Sequence, residues 1–349
     1  MKRSAIVILL LASALAPGAA GFAQAPAMPG KGVTVRPAVA TWESAKPLEV
    51  IFATLLGDLG YEVKPAKTLS NSLFYQSVTQ GDVDFWANGW FPIHNAQVPK
   101  DFHQHAEILG TIVGDGALQG YLVDRKSAES YHITSLADFK RPDVRKAFDA
   151  NGDGRADLVG CPPGWECHDT IRYQMKAYGL SKDIDVITAG YAADFADALA
   201  RYKNGKPVLY YGWTPNFTNY LLKPGKDVVW INVPSIEPTP TQKPFEKTMT
   251  QSGIEGAVTD PLKMGFAAND IQTVANKKFA DANPAAKKLL SEVTVPLNDI
   301  SRMTLEINNG KDSPKQIEAL ARAWIKSHQD EVDQWLEAAR QAAAQATAN

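Results

Sequence analysis

The sequence predicts an α/β layer fold divided into two lobes. Strand-like and helix-like stretches alternate through the first two thirds of the chain, the pattern of an α/β layer protein. Its 349 residues suggest two domains rather than one. It has no internal repeat and no long low-complexity linker, which fits lobes joined by several short strands.

The elements follow in order. Residues 32–35 read as a strand. Leu48, Phe52, Leu55 and Leu59 recur at helical spacing, and Gly60 is a natural stop. Gly81 and Asp82 form a turn before a strand over 83–86. Phe195, Leu199 and Tyr202 make one helical face closed by Gly205, with strands expected over 208–211 and 227–233. The last third is mainly helical. Asn283 with Pro284 is an N-cap followed by proline at the first helical position, and Ser313, Pro314 and Gln316 read as a capping box. The helix they start turns Ile317, Leu320 and Trp324 inward and is expected to run to Trp335 and Leu336, with an alanine-rich tail free to fray.

The amino terminus carries Lys2 and Arg3, an apolar run over 5–15, then small residues up to Ala23 and Ala25, the order of a cleavable secretory leader. The apolar run is shorter than the roughly 20 residues that a membrane span needs. No cysteine lies near the cut, so a lipid anchor is not expected. Without Lys2 and Arg3 the chain has 34 basic against 38 acidic residues and no basic stripe, which argues against nucleic acid as a partner. In an exported protein the close pair Cys161 and Cys167 is most simply a disulfide.

Three tryptophans stand out. Trp90 lies in Asn88-Gly89-Trp90-Phe91-Pro92-Ile93-His94, Trp165 in Cys161-Pro162-Pro163-Gly164-Trp165-Glu166-Cys167, and Trp213 in Tyr210-Tyr211-Gly212-Trp213-Thr214-Pro215. Each sits beside glycine and near proline, where strands end and loops open. Strand ends are where α/β folds build ligand sites. Taken alone, these rings serve equally well as loop packing.

These three segments resemble the ligand-site segments of periplasmic glycine betaine/proline betaine-binding proteins of osmoprotectant ABC importers. The likeness covers nearly the whole mature chain and includes residues 29–32, 120–124, 149–160 and 201–213. It implies a type II-like two-lobed periplasmic binding protein with a ligand cleft between lobes joined by a hinge. Residues 1–25 would be the signal peptide, 26–122 the first part of lobe I, 123–265 lobe II, and 266–349 the return segment of lobe I. It further implies transfer of the ligand to a permease and an ATPase, and a monomer suits a protein that must dock on a permease. By the same resemblance, Trp90, Trp165 and Trp213 form a cage, and His94 with the main-chain N–H groups of Glu166 and Cys167 holds the ligand carboxylate.

The chemistry agrees. A quaternary ammonium group cannot donate a conventional hydrogen bond, and its diffuse charge is best met by aromatic faces, each contributing roughly 0.5–2 kcal/mol. The resembling family has glycine where this chain has Glu166. A carboxylate pointing into the pocket would repel betaine and suit choline; one pointing to solvent would change nothing. Choline or carnitine is therefore the alternative ligand.

Asp149, Asn151, Asp153 and Asp157 follow the start of a calcium loop, but its twelfth position is Gly160 rather than the bidentate glutamate. The competing reading is an Asx-rich turn, and no other cofactor is expected. Asp82 and Asp84 read as a solvated turn and strand face. His103, His105, His132, His168 and His328 have no supporting context. An exported enzyme acting on a small cationic substrate is a further alternative, but there is no nucleophile elbow, phosphate loop or zinc-protease motif.

Overall fold

The computed structural model describes residues 28–348, so the expected leader lies outside the described residues. Two sheets organise the molecule. The first is antiparallel, with strand Asn269–Asn276 between Phe85–Phe91 and Ala106–Ala117. Short parallel pairs extend this region, Thr34–Val35 with Glu62–Val63 and Ala38–Ala40 with Lys67–Leu69. The second sheet has five strands in the order Val228–Ile231, Gln119–Asp124, Leu209–Trp213, Ala156–Val159 and Ile184–Ile187. Its last three strands run parallel, while Gln119–Asp124 pairs antiparallel with both neighbours.

The chain leaves the first sheet through Ala106–Ala117 and enters the second at Gln119–Asp124, one residue later. It returns through Asn269–Asn276. The architecture is thus the expected two-lobed one. The first crossing is pinned by Thr214, whose hydroxyl donates to the Gly116 carbonyl at 2.6 Å and whose N–H donates to the Leu118 carbonyl at 3.0 Å.

Most expected elements are present. Helix Ala45–Asp58 buries Leu48, Phe52 and Leu55, and Gly60 follows with φ 90°, a left-handed conformation that suits glycine. Helix Tyr191–Lys203 buries Phe195, and helix Pro284–Glu292 starts with Asn283 at its N-cap and proline at its first position. At helix Pro314–Ser327 the Ser313 N–H donates to the Gln316 side-chain oxygen at 3.3 Å.

Three expectations differ from what is observed. The strand near residue 83 starts at Phe85 and continues through Asn88 and Gly89 to Phe91, because Asn269–Asn276 pairs with it, Trp90 opposite Ile271. The C-terminal helix breaks at His328, whose ring stacks on Trp324 at 4.4 Å, and a second helix, Gln329–Ala348, follows. Asp84 is not solvated. It is buried, and its carboxylate takes the Arg36 main-chain N–H at 2.7 Å and the guanidinium at 2.6 and 3.1 Å. A buried carboxylate needs such a partner, and the strand pairing beside residue 37 supplies it.

Candidate functional site

The three tryptophans come together. Trp90 occupies the penultimate position of strand Phe85–Phe91, Trp213 is the last residue of strand Leu209–Trp213, and Trp165 is the N-cap of helix Glu166–Ala177. Trp165 and Trp213 meet edge to face at 5.7 Å. All three line a cavity with an empty volume of about 350 Å³, part of it open to solvent, at the small end of the range for small-molecule sites.

A fourth tryptophan, which sequence reasoning missed, completes the wall. Trp42 lines the same cavity and meets Trp165 edge to face at 5.5 Å. It lies between strand Ala38–Ala40 and helix Ala45–Asp58, a strand-to-helix junction like those of the others, but with no glycine or proline beside it. The indole N–H groups of Trp42 and Trp90 both donate to the Asn88 side-chain oxygen at 2.8 Å. Their polar edges are thereby satisfied away from the ring faces. Trp165 donates to the Thr41 hydroxyl at 2.7 Å, reaching from the disulfide loop to the first lobe. Tyr211 also lines the cavity and donates to the Gln119 side-chain oxygen at 2.5 Å. Tyr191 packs behind Trp213 at 4.5 Å.

The polar end is built from a helix start and a histidine. Cys161 and Cys167 form the disulfide, with Cα atoms 6.0 Å apart, and it clamps the Pro-Pro-Gly-Trp turn onto helix Glu166–Ala177. Glu166 and Cys167 are the first two residues of that helix, so their N–H groups have no intrahelical acceptor. A helix start of this kind attracts anions.

His94 is buried in the turn Ile93–Ala96, and burial holds its imidazole down to about 3, so it is neutral at physiological pH. The Trp90 N–H donates to Nδ1 at 3.1 Å, which places the ring proton on Nε2. The Asn71 amide lies 2.8 Å from Nε2, and the oxygen of that amide is otherwise without a partner. With the amide turned over, the oxygen accepts the Nε2 proton and the amide N–H₂ takes the place of that unpartnered oxygen. The Tyr75 hydroxyl lies 2.8 Å from Nδ1. Both ring nitrogens are therefore engaged by protein, and Asn71, which also lines the cavity, is the partner the sequence did not disclose.

Glu166 is not turned to solvent: its carboxyl runs along its own helix to Thr170, at the edge of the pocket. Its side chain is buried, it lines the cavity, and its two oxygens lie 2.9 and 3.1 Å from the Thr170 hydroxyl. Burial pushes the carboxyl up to about 8.

The residues of the possible calcium loop lie elsewhere. Asp149 accepts the Gly152 and Gly154 N–H groups, Asn151 accepts that of Asp153, and Asp157 accepts that of Ala150. Asp153 pairs with Arg155 at 2.6 Å. Among the described residues no group of three or more His, Cys, Asp or Glu is arranged to hold a metal ion.

Residues 33–327 match the family model described as the substrate binding domain of ABC-type glycine betaine transport systems. The chain belongs to that family. It is 38% identical over 331 residues to the glycine betaine/proline betaine-binding periplasmic protein of Salmonella typhimurium, covering 95% of this chain and 97% of the relative. It is also 38% identical over 343 residues to the glycine betaine-binding periplasmic protein OusX of Dickeya dadantii, covering 98% and 100%. The fold is similar to that of lactococcal OpuAC in its closed form with glycine betaine, at a TM-score of 0.64 and 22% identity over 87% of this chain and 99% of that one. A choline-binding protein complexed with choline gives 0.67 and 19% over 90% and 98%. This member of the betaine family is thus a substrate-binding protein of an ABC transport system. Solute binding is a non-enzymatic role, and the curated relatives act in the periplasm. Among the described residues no helix is long and apolar enough to cross a membrane.

Proposed function

We propose that this protein captures glycine betaine or proline betaine between its lobes and delivers it, as a monomer, to the permease and ATPase of an ABC importer. The observation that carries the reading is the four-tryptophan wall, facing a polar end made of the Glu166 and Cys167 N–H groups and the Asn71–His94 pair. Aromatic faces suit a quaternary ammonium head, and neutral donors at a helix start suit a carboxylate. Lobe I would hold the first sheet and lobe II the second, with the first boundary at Leu118 rather than after residue 122, because strand Gln119–Asp124 lies whole within the second sheet. The ligand then contacts Trp42 and Trp90 on one lobe and Trp165 and Trp213 on the other. Closure then follows from contacts made only in the closed state. Export through a cleaved leader without a lipid anchor fits the periplasmic relatives. We assign no cofactor, since the side-chain oxygens of the Asp149 loop already bond its own N–H groups.

The test is calorimetric titration of the mature protein with glycine betaine and proline betaine. Each single Trp→Ala change at 42, 90, 165 or 213 should weaken binding by about 2- to 30-fold, the equivalent of roughly 0.5–2 kcal/mol per ring. Binding that survives all four changes at full strength overturns the cage. Steady conversion of either ligand would favour an enzyme instead.

A further inference from the structure

Glu166 is the one group in the cavity wall that the betaine reading leaves without a purpose for its side chain. It is 4% exposed and forms no ion pair among the described residues. The titratable groups that act on it are Asp169 on its own helix and Tyr211 from strand Leu209–Trp213, and His94 from the turn Ile93–Ala96 lines the same cavity. Asp169 is an acid, Tyr211 a phenol and His94 a neutral imidazole, so none supplies positive charge. Its carboxyl bonds the Thr170 hydroxyl, and Gln242, whose amide nitrogen lies 3.0 Å from that hydroxyl, bonds the carboxyl as well. A carboxylate buried without a counter-charge is unstable there. It can be relieved in two ways, by a proton or by a cationic ligand in the cavity.

We propose, building on the osmolyte-binding reading above, that Glu166 selects the class of ligand by its own protonation. As a neutral acid it admits a zwitterion whose carboxylate lies at the helix start. As a carboxylate it repels that zwitterion and favours a quaternary ammonium ligand without an acid group, such as choline.

The surroundings suit both forms. The neutral acid needs an acceptor for its O–H, and the Thr170 hydroxyl oxygen serves once its own proton turns to the Gln242 side-chain oxygen, which is buried in this cluster with no partner. Turning that amide over exchanges its nitrogen for the oxygen without moving any other group. The ionised form keeps the Thr170 hydroxyl as a donor and gains the ligand cation. Burial places the change of state near pH 8, within a range in which binding can be measured.

The experiment is calorimetry of the mature protein at pH 7 and pH 9 with glycine betaine and with choline, for wild type and Glu166→Gln. If only the neutral form admits betaine, its apparent affinity falls with the neutral fraction, by about tenfold between these values. Choline should bind more tightly at pH 9. In Glu166→Gln the betaine affinity should no longer change with pH. A second readout needs no variant: at pH 9, titrations in buffers of different ionisation enthalpy should show betaine binding taking up close to one proton. Betaine that binds wild type equally at both values with no proton uptake overturns the proposal and leaves the cage intact. So does a pH dependence that persists in Glu166→Gln. Failure of both ligands to bind wild type at either pH removes the cage reading itself, and this proposal with it.

Discussion

The Asn88 side-chain oxygen takes two indole N–H groups at once, so Trp42 and Trp90 hold their angle through a single atom. Asn88→Leu keeps the volume and removes the acceptor. It leaves two buried donors unpaired at about 1–3 kcal/mol each, and one ring can recover its bond only by turning out of the wall. We expect betaine affinity to fall by about tenfold or more while circular dichroism stays native; unchanged affinity would show that packing alone holds the rings. Residues of this kind were only partly legible in the chain. Trp90, Trp165 and Trp213 announced themselves because glycine and proline punctuate their segments. Trp42 stands in Thr41-Trp42-Glu43, where nothing local marks a binding ring. Asp84 looked like a surface acid because its partner, Arg36, is 48 positions away. The side-chain direction of Glu166 depended on Thr170 and on the burial of a helix start, neither of which a motif encodes.

Among the elements, helix Ala45–Asp58 carries a mostly buried acid. Burial raises Glu49 from 4.5 to about 7. The folded state therefore holds this proton more tightly than the unfolded chain does. The stability it contributes is fully present below pH 4.5 and is lost as pH rises through about 7. Glu49→Gln should flatten that part of the profile, by an amount on the order of 1–3 kcal/mol, in urea unfolding at pH 5 and pH 8. A steeper loss in the variant would contradict the assignment. The disulfide loop permits a second test. It fixes Trp165 and the N–H groups of Glu166 and Cys167 on one short ring. Replacing both cysteines by serine should leave the protein folded but weaken betaine, because binding must then order the loop, a cost of about 0.5–1.5 kcal/mol for each side chain immobilised. Helix and strand identities were legible from periodicity and caps. Their ends were not, since the extension of the strand to Phe91 comes from pairing with Asn269–Asn276, and the break at His328 from its stacking on Trp324.

For the whole molecule, two lobes meet around one small cavity, and Trp165 already touches Thr41 and Trp42 across it. A ligand seated there binds only the folded chain. At a hundred times its dissociation constant it should add about 2.7 kcal/mol of stability, seen as a rise in the unfolding temperature that grows with the logarithm of concentration. A rise that does not track concentration would mean the ligand acts elsewhere. The two-lobed plan was legible from length, alternation and the absence of a linker, whereas the route between lobes was not. That route has a consequence of its own. Ala117, where the chain departs for the second sheet, sits opposite Asn269, where it comes back. Everything in between is spliced into what would otherwise be a plain hairpin. The second sheet is, in genetic terms, a cassette with adjoining ends, and exchanging it among relatives would change half of the tryptophan wall without disturbing the ladder that holds the other half.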